Sequence, residues 1–214
     1  MGALNGSISF KRFYVEGEPS LNPAGKQNLV ERIQTMIFTP LDVDGEDEER
    51  VGWCSVEHPL DLSLDVHKVF FNEYLNLSMR IDKWQIPSPI FKAYYTEAER
   101  DYMAAQNKER LSRGEKVNIK DMVTAQLKRR LMPSMKVIDM SWNTHTGVLR
   151  FWNQSTKTCE RFAALFEDTF QLQLVPQSAY TDALQFKLSD AMVGQLADLS
   201  PTVFHTDEAE ILNI

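Results

Sequence analysis

Residues 118–131 read NIKDMVTAQLKRRL, in which every fourth position is apolar. Because an α-helix has about 3.6 residues per turn, this spacing puts the apolar side chains on one broad face. The pattern predicts an amphipathic helix that begins near Asn118 and stops before Pro133, since proline disfavours a helical conformation in the residue before it. The four apolar positions are Ile119, Val123, Leu127 and Leu131.

A second helix is predicted upstream of this one. Ser88 and Pro89 supply an N-cap followed by a first-turn proline, and an apolar and aromatic stripe then recurs at helical spacing until the helix fades near Gly114. Two adjacent helices of this kind predict a projecting helical hairpin over residues 88–134. The stripe consists of Phe91, Tyr94, Tyr95, Ala98, Tyr102 and Ala105.

The flanking sequence predicts a sheet. Apolar and polar residues roughly alternate in several runs, which is typical of strands with one buried face. Helices are expected after Asn22, which precedes Pro23, and after Ser155. We therefore predict an α+β fold that combines an antiparallel sheet and packed helices with a projecting basic helical hairpin. Its three parts are residues 1–87, 88–134 and 135–214. The predicted strands are 7–15, 51–56, within 69–86, 136–142, 148–153 and 172–175.

The composition is that of an ordinary folded protein, with 43% hydrophobic and 25% charged residues. No window approaches the roughly 18 consecutive apolar residues of a membrane-spanning helix, and the N-terminus lacks the features of a signal peptide. We expect a cytoplasmic protein without a membrane partner. Its two cysteines, Cys54 and Cys159, are too isolated to suggest a zinc site and are predicted to be buried thiols.

Charge is distributed unevenly along the chain. The formal net charge is −7, yet residues 92–161 contain 14 basic and 8 acidic side chains and carry +6. A local excess of cations in an acidic chain suggests a polyanionic partner, for which the helical hairpin is the candidate surface. Arg130 is the weakest candidate there, because its helical phase places it near the apolar face. The predicted DNA-binding residues are Lys108, Arg110, Arg113, Lys116, Lys120, Lys128 and Arg129.

The sequence contains none of the common motifs for catalysis or cofactor binding. The chain has no glycine-rich phosphate loop, no nucleophile elbow and no zinc-protease motif, and its four histidines are scattered. We expect no catalytic residues, no metal and no cofactor. A metal-dependent nuclease remains a minor alternative, for which Asp82 beside Lys83 is the candidate carboxylate. Neighbouring strand residues point to opposite faces, which disfavours that pair.

Short motifs over most of the chain resemble the recombination-associated protein RdgC family of bacteria. The resemblance implies sequence-nonspecific binding of duplex DNA, a homodimer that coats or encircles the duplex, association with the nucleoid, and modulation of recombination or replication by restraining a recombinase. Typical members of this family are longer than this chain, so the resemblance implies a short member that lacks the usual C-terminal third. The motifs are MIFTP (36–40), GW (52–53), KWQIPSPIFK (83–92), IKDMV (119–123), LMP (131–133), Asp139 before GVL (147–149), STK (155–157), VP (175–176) and DEAE (207–210).

Two other interpretations remain open from the residues themselves. The cations of the hairpin are also compatible with a solvated helix, in which Lys128, Arg129 and Arg130 complement the helix dipole. Alternatively, the hairpin is a dimerisation arm or docks an acidic protein, so that its charges steer a protein partner rather than bind nucleic acid.

Overall fold

The computed structural model describes residues 2–3, 9–17, 22–45, 47–184, 186 and 188–199. They divide into two compact units, Met1–Leu174 and Val175–Ile214. Helices are α1 (Pro23–Thr35), α2 (Val66–Val69), α3 (Ser88–Ala105), α4 (Arg113–Lys128), α5 (Thr156–Phe170), α6 (Ala179–Leu184) and α7 (Asp190–Ala197). Strands are β1 (Lys11–Glu16), β2 (Glu49–Cys54), β3 (Phe70–Phe71), β4 (Tyr74–Lys83), β5 (Ser134–Asn143), β6 (Val148–Phe151) and β7 (Gln173–Pro176).

The strands form one sheet in the order β2-β4-β5-β6-β1-β7, with β3 paired to β4. Its longest ladder joins β4 and β5 antiparallel, from Tyr74 opposite Asn143 to Lys83 opposite Ser134. The pairs β2–β4, β5–β6 and β1–β6 are also antiparallel. The predicted α+β fold with an antiparallel sheet and packed helices is confirmed, and α3 packs against α4 as a helical hairpin.

One face of the sheet carries the main core beneath α1 and α5. Alternating side chains of the central strands point to this face, as the period of two along a strand requires. The ring of Phe162 stacks on that of Phe151 with centroids 4.0 Å apart. Trp53 is fully buried and donates its indole N–H to the Thr169 hydroxyl at 2.8 Å.

The opposite face of the sheet is polar. Ser78 donates to Asp139 Oδ1 at 2.6 Å, and the next polar pair on this face is the ion pair between Arg80 and Asp82. Cys54 stands opposite Ser78 in the β2–β4 ladder, and burial raises the pKa of its thiol to about 12. Both cysteines are buried and free, as predicted.

The helical hairpin has a small apolar cluster of its own. Ile119, Val123 and Leu127 on α4 are buried against the aromatic stripe of α3. The predicted boundaries between the two helices were wrong. α3 ends at Ala105, well before Gly114, and α4 begins earlier than Asn118, at Arg113.

Local hydrogen bonding explains this earlier start of α4. Ser112 accepts the backbone N–H of Glu115 at 3.3 Å, and the Glu115 carboxylate accepts the N–H of Ser112 at 2.8 Å. This reciprocal capping box satisfies donors that the first turn of a helix leaves without partners. At α3 the predicted serine cap was also wrong, because Ser88 is already helical and Pro87 precedes it without a side-chain cap. Asn22 does cap α1, by accepting from the Gly25 N–H at 2.7 Å.

The second unit contains α6 and α7, neither of which has a buried residue. Phe186 and Leu199 are its most exposed large apolar side chains among those described. Part of the first predicted strand, residues 7–8, and the motif at 207–210 lie outside the described residues.

Candidate nucleic-acid interface

Four of the predicted cations share one side of α4. With about 100° of rotation per residue, Arg113 and Lys120 point within about 20° of each other, and Lys116 and Lys128 flank them inside an arc of about 120°. We call these four residues the α4 cation stripe. It follows the helix for about 22 Å, at a rise of about 1.5 Å per residue.

The position of the stripe follows from the packing of α4. The buried residues Ile119, Val123 and Leu127 fix which face of the helix meets α3. By the same rotation, Lys116 falls within the arc of the buried residues, whereas Arg113, Lys120 and Lys128 lie beside that arc. The side chains of the stripe are exposed except for Lys128, which is half-buried. The Nζ atom of Lys128 lies 5.9 Å from the ring centroid of Trp84.

Carboxylates neutralise part of the predicted set. Lys108 Nζ lies 2.5 Å from Glu115 Oε1, and Arg129 donates to Asp44 Oδ1 from Nη2 at 2.6 Å. The exposed Lys116 ammonium lies 3.9 Å from Glu99, a distance at which surface ion pairs contribute little. Lys108 and Arg129 are therefore poorer phosphate ligands than their positions in the sequence indicate.

The other predicted cations have no such partner. Within the described part of the chain, Arg110, Arg113, Lys120 and Lys128 make no ion pair with a carboxylate. Arg110 lies in the connection between α3 and α4 and is exposed. The structure thus leaves four charges available for an anionic partner, three of them on the stripe.

Arg130 is engaged by an aromatic ring. Its guanidinium lies 5.7 Å from the ring centroid of Tyr94 and donates to the Tyr94 hydroxyl at 3.2 Å. This contact places its stem along the α3 side of the hairpin, the position that its helical phase predicts. It is not part of the α4 cation stripe.

The carboxylates that hold Lys108 and Arg129 were missed by the sequence reasoning. Glu115 was detectable, because a serine three residues before a glutamate is the signature of a capping box. Asp44 was not, because it is separated from Arg129 by 85 positions and meets it only in the folded chain.

Asp82 is in a structural ion pair. Both of its oxygens accept hydrogen bonds from Arg80, at 2.9 Å and 2.6 Å, and the residue is only 3% exposed. Lys83 points away from it, toward Glu49. Among the described residues, no group of three histidine, cysteine, aspartate or glutamate side chains is arranged to hold a metal ion.

Glu115 links the stability of the hairpin to its charge. The Lys108 ammonium and the Ser112 backbone N–H and hydroxyl donate to this carboxylate and lower its pKa from 4.5 to about 2. A lowered pKa in the folded state contributes stability that is present above pH 4.5 and is lost as pH falls toward 2.

We expect Glu115→Gln to lower the thermal unfolding midpoint at pH 7, because Gln keeps the size of the side chain and removes its charge. At pH 3 the unfolding midpoints of the variant and the wild-type protein should differ less. Partial protonation of the carboxylate at this pH reduces its contribution to the free energy of unfolding. Glu97→Gln is the matched control on α3, since Glu97 is exposed and makes no ion pair within the described residues. If Glu115→Gln lowered the unfolding midpoint equally at both pH values, this role for Glu115 would be contradicted.

A search for a family model that matches this chain found none, and none of the curated proteins matches it. Among the helices of the described residues, none is long and apolar enough to cross a membrane. The chemistry of the exposed side chains is therefore the basis for a functional proposal.

Proposed function

We propose that this protein binds duplex DNA without sequence preference, through the α4 cation stripe and Arg110. The observation that carries the proposal is the alignment of Arg113, Lys120 and Lys128 on one side of a helix with no carboxylate partner among the described residues. Lysine and arginine contacts to phosphates supply affinity but carry no sequence information. The resemblance of the sequence motifs to the RdgC family supports the same partner.

The acidic remainder of the chain fits this proposal. Residues outside 92–161 carry a net charge of −13, whereas that segment carries +6. A polyanion is repelled by most of such a surface and attracted to one part of it. The charge asymmetry therefore favours a defined orientation on DNA over general adhesion to nucleic acid.

We further propose that the protein acts as a cytoplasmic, nucleoid-associated homodimer. Two protomers present two stripes, which about doubles the number of phosphates contacted and steepens the salt dependence in proportion. A dimer that coats or encircles the duplex modulates recombination or replication by occupying the surface that a recombinase needs. DNA binding by one stripe does not depend on this assembly.

Sequence independence is the first property to test. We expect two labelled 30-base-pair duplexes of unrelated sequence to bind with affinities that agree within about threefold at low salt, since phosphate contacts are the same on both. Fluorescence anisotropy titrations measure both affinities. Absence of binding to either duplex at 50 mM salt would contradict the proposal.

A protein-interaction module is the second candidate, and one observation favours it. Met132 is 90% exposed, and Met135 nearby on β5 is 49% exposed. Exposed methionines are adaptable apolar contacts of the kind that protein partners use. The absorbance ratio at 260 and 280 nm of the purified protein, followed by its mass with and without DNA, distinguishes this candidate from DNA binding.

A further inference from the structure

A cavity of about 460 Å³ lies on the polar face of the sheet, away from the hairpin. Its walls include four aromatic residues, which are Phe70, Phe71, Tyr74 and Trp152. Binding sites for small organic ligands typically measure about 300–1,000 Å³ and combine aromatic walls with a few polar groups. Both conditions are met here.

Two polar side chains of the cavity lack protein partners. Ser141 on β5 and Asn76 on β4 stand directly opposite each other in the ladder, and both line the cavity. Ser141 is 8% exposed, yet neither its hydroxyl nor the Asn76 amide forms a hydrogen bond with the described residues. Asn76 is half-buried, and both side chains line the cavity, so the pair is suited to hydrogen-bond the edge of a planar ligand there.

Two arginines adjoin the cavity on the next strands. Arg12 on β1 stands opposite Arg150 on β6, and Arg150 in turn stands opposite Ser141. Like charges directly opposite each other in a sheet are destabilising, and within the described residues no carboxylate pairs with either arginine. An anion bound between them would relieve that repulsion.

Aromatic contacts connect the arginine pair to the cavity. Both guanidinium groups lie against the ring of Phe10, with centroid distances of 5.7 Å for Arg12 and 5.8 Å for Arg150. The ring centroid of Phe10 lies 5.6 Å from that of Trp152, which is a wall of the cavity. Neighbouring strands are about 4.8 Å apart, so an anionic group on the arginines and a ring in the cavity can belong to one small molecule.

Lys68 also borders the cavity, but its charge is used within the protein. Its ammonium donates to Asp61 at 2.7 Å and to the Ser63 carbonyl at 2.8 Å. The arginine pair is therefore the better anion ligand at this site.

We propose that this cavity binds a nucleotide, with the base between the aromatic walls and the phosphate on Arg12 and Arg150. Ser141 and Asn76 hydrogen-bond the edge of the base. The ligand is either a free nucleotide or an unpaired base within a nucleic-acid strand, which present the same chemistry. This site is separate from the α4 cation stripe, so either proposal can fail without the other.

The probe is adenosine monophosphate, titrated by isothermal calorimetry beside adenosine and inorganic phosphate. We expect the monophosphate to bind at least about tenfold more tightly than adenosine, because the two arginines recognise its phosphate. Arg150→Gln should reduce this difference, because one of the two arginines is lost, and should leave the affinity for adenosine unchanged. Phe71→Ala should lower the affinities for adenosine monophosphate and adenosine by about tenfold each, because base stacking is lost.

Leu60→Ala is the matched control for Phe71→Ala, because Leu60 is 74% exposed, close in sequence and not part of the cavity wall. Absence of monophosphate binding at millimolar concentration would overturn the proposal, as would unchanged binding in both Arg150→Gln and Phe71→Ala.

Competition by a single-stranded oligothymidylate distinguishes the two sources of ligand. Displacement of the monophosphate identifies an unpaired base in a strand, and no displacement identifies a free nucleotide. Duplex affinity in Arg150→Gln should equal that of the wild-type protein.

Discussion

We expect the change of Arg113 and Lys120 together to glutamate to lower the affinity for duplex DNA by about a hundredfold at low salt. The double variant removes two unpaired cations that point in nearly the same direction from α4 and puts two anions in their place. Each lost phosphate contact also reduces the slope of log affinity against log salt by about one. Anisotropy titration of a labelled duplex measures both effects.

The same double variant should keep its fold. Arg113 is the first residue of α4, where a negative charge is favourable to the helix dipole, and Lys120 is exposed. Lys26→Glu with Lys157→Glu is the matched control, because it changes the net charge equally on α1 and α5, outside the hairpin. If both double variants lost the same amount of affinity for duplex DNA, total charge and not the α4 cation stripe would govern binding.

We expect Phe162→Ala to lower the free energy of unfolding by about 3–5 kcal/mol, the usual cost of removing a large aromatic side chain from a core. Phe162 is fully buried, stacks on Phe151, and has ring contacts with Phe13 and Trp53 from two other strands. Truncation to alanine removes the ring contacts with all three of these aromatic side chains. Urea denaturation at pH 7 measures the loss as a lower midpoint.

Phe71→Ala is the control for this substitution. The same atoms are deleted there from a side chain that is 71% exposed, so the change in unfolding free energy should stay within about 0.5 kcal/mol. A similar loss at both positions would contradict the assignment of the core to the α1 and α5 face of the sheet.

Much of the fold was predictable, because its patterns are local. The fourfold spacing of Ile119, Val123 and Leu127 fixed the inner face of α4, and the structure buries these same residues. The alternating apolar residues of β5 and β6 predicted both strands, and Asn22 before Pro23 predicted the start of α1. In each case the determining residues are within a few positions of one another.

The errors have physical causes. Gly114 suggested the end of a helix, but the capping box formed by Ser112 and Glu115 starts α4 at that point, and the glycine becomes its second residue. A single glycine inside a helix costs only about 1 kcal/mol relative to alanine, which the cap offsets.

Other parts of the surface depend on long-range contacts. Arg129 meets Asp44, and Arg12 meets Arg150, only because distant segments come together in the fold. The row formed by Arg12, Arg150, Ser141 and Asn76 requires the register of four strands. Register is set by the whole sheet, so this row could not be predicted from local spacing.

The salt dependence of duplex binding tests the central claim most directly. With the four unpaired cations Arg110, Arg113, Lys120 and Lys128 on phosphates, the slope of log affinity against log salt should be about −3.6 per protomer. The slope should be about 2 units shallower when Arg113 and Lys120 are glutamate. Anisotropy titrations between 50 and 200 mM salt give both slopes. A wild-type slope near zero, or equal slopes in the two proteins, would contradict DNA binding by the α4 cation stripe.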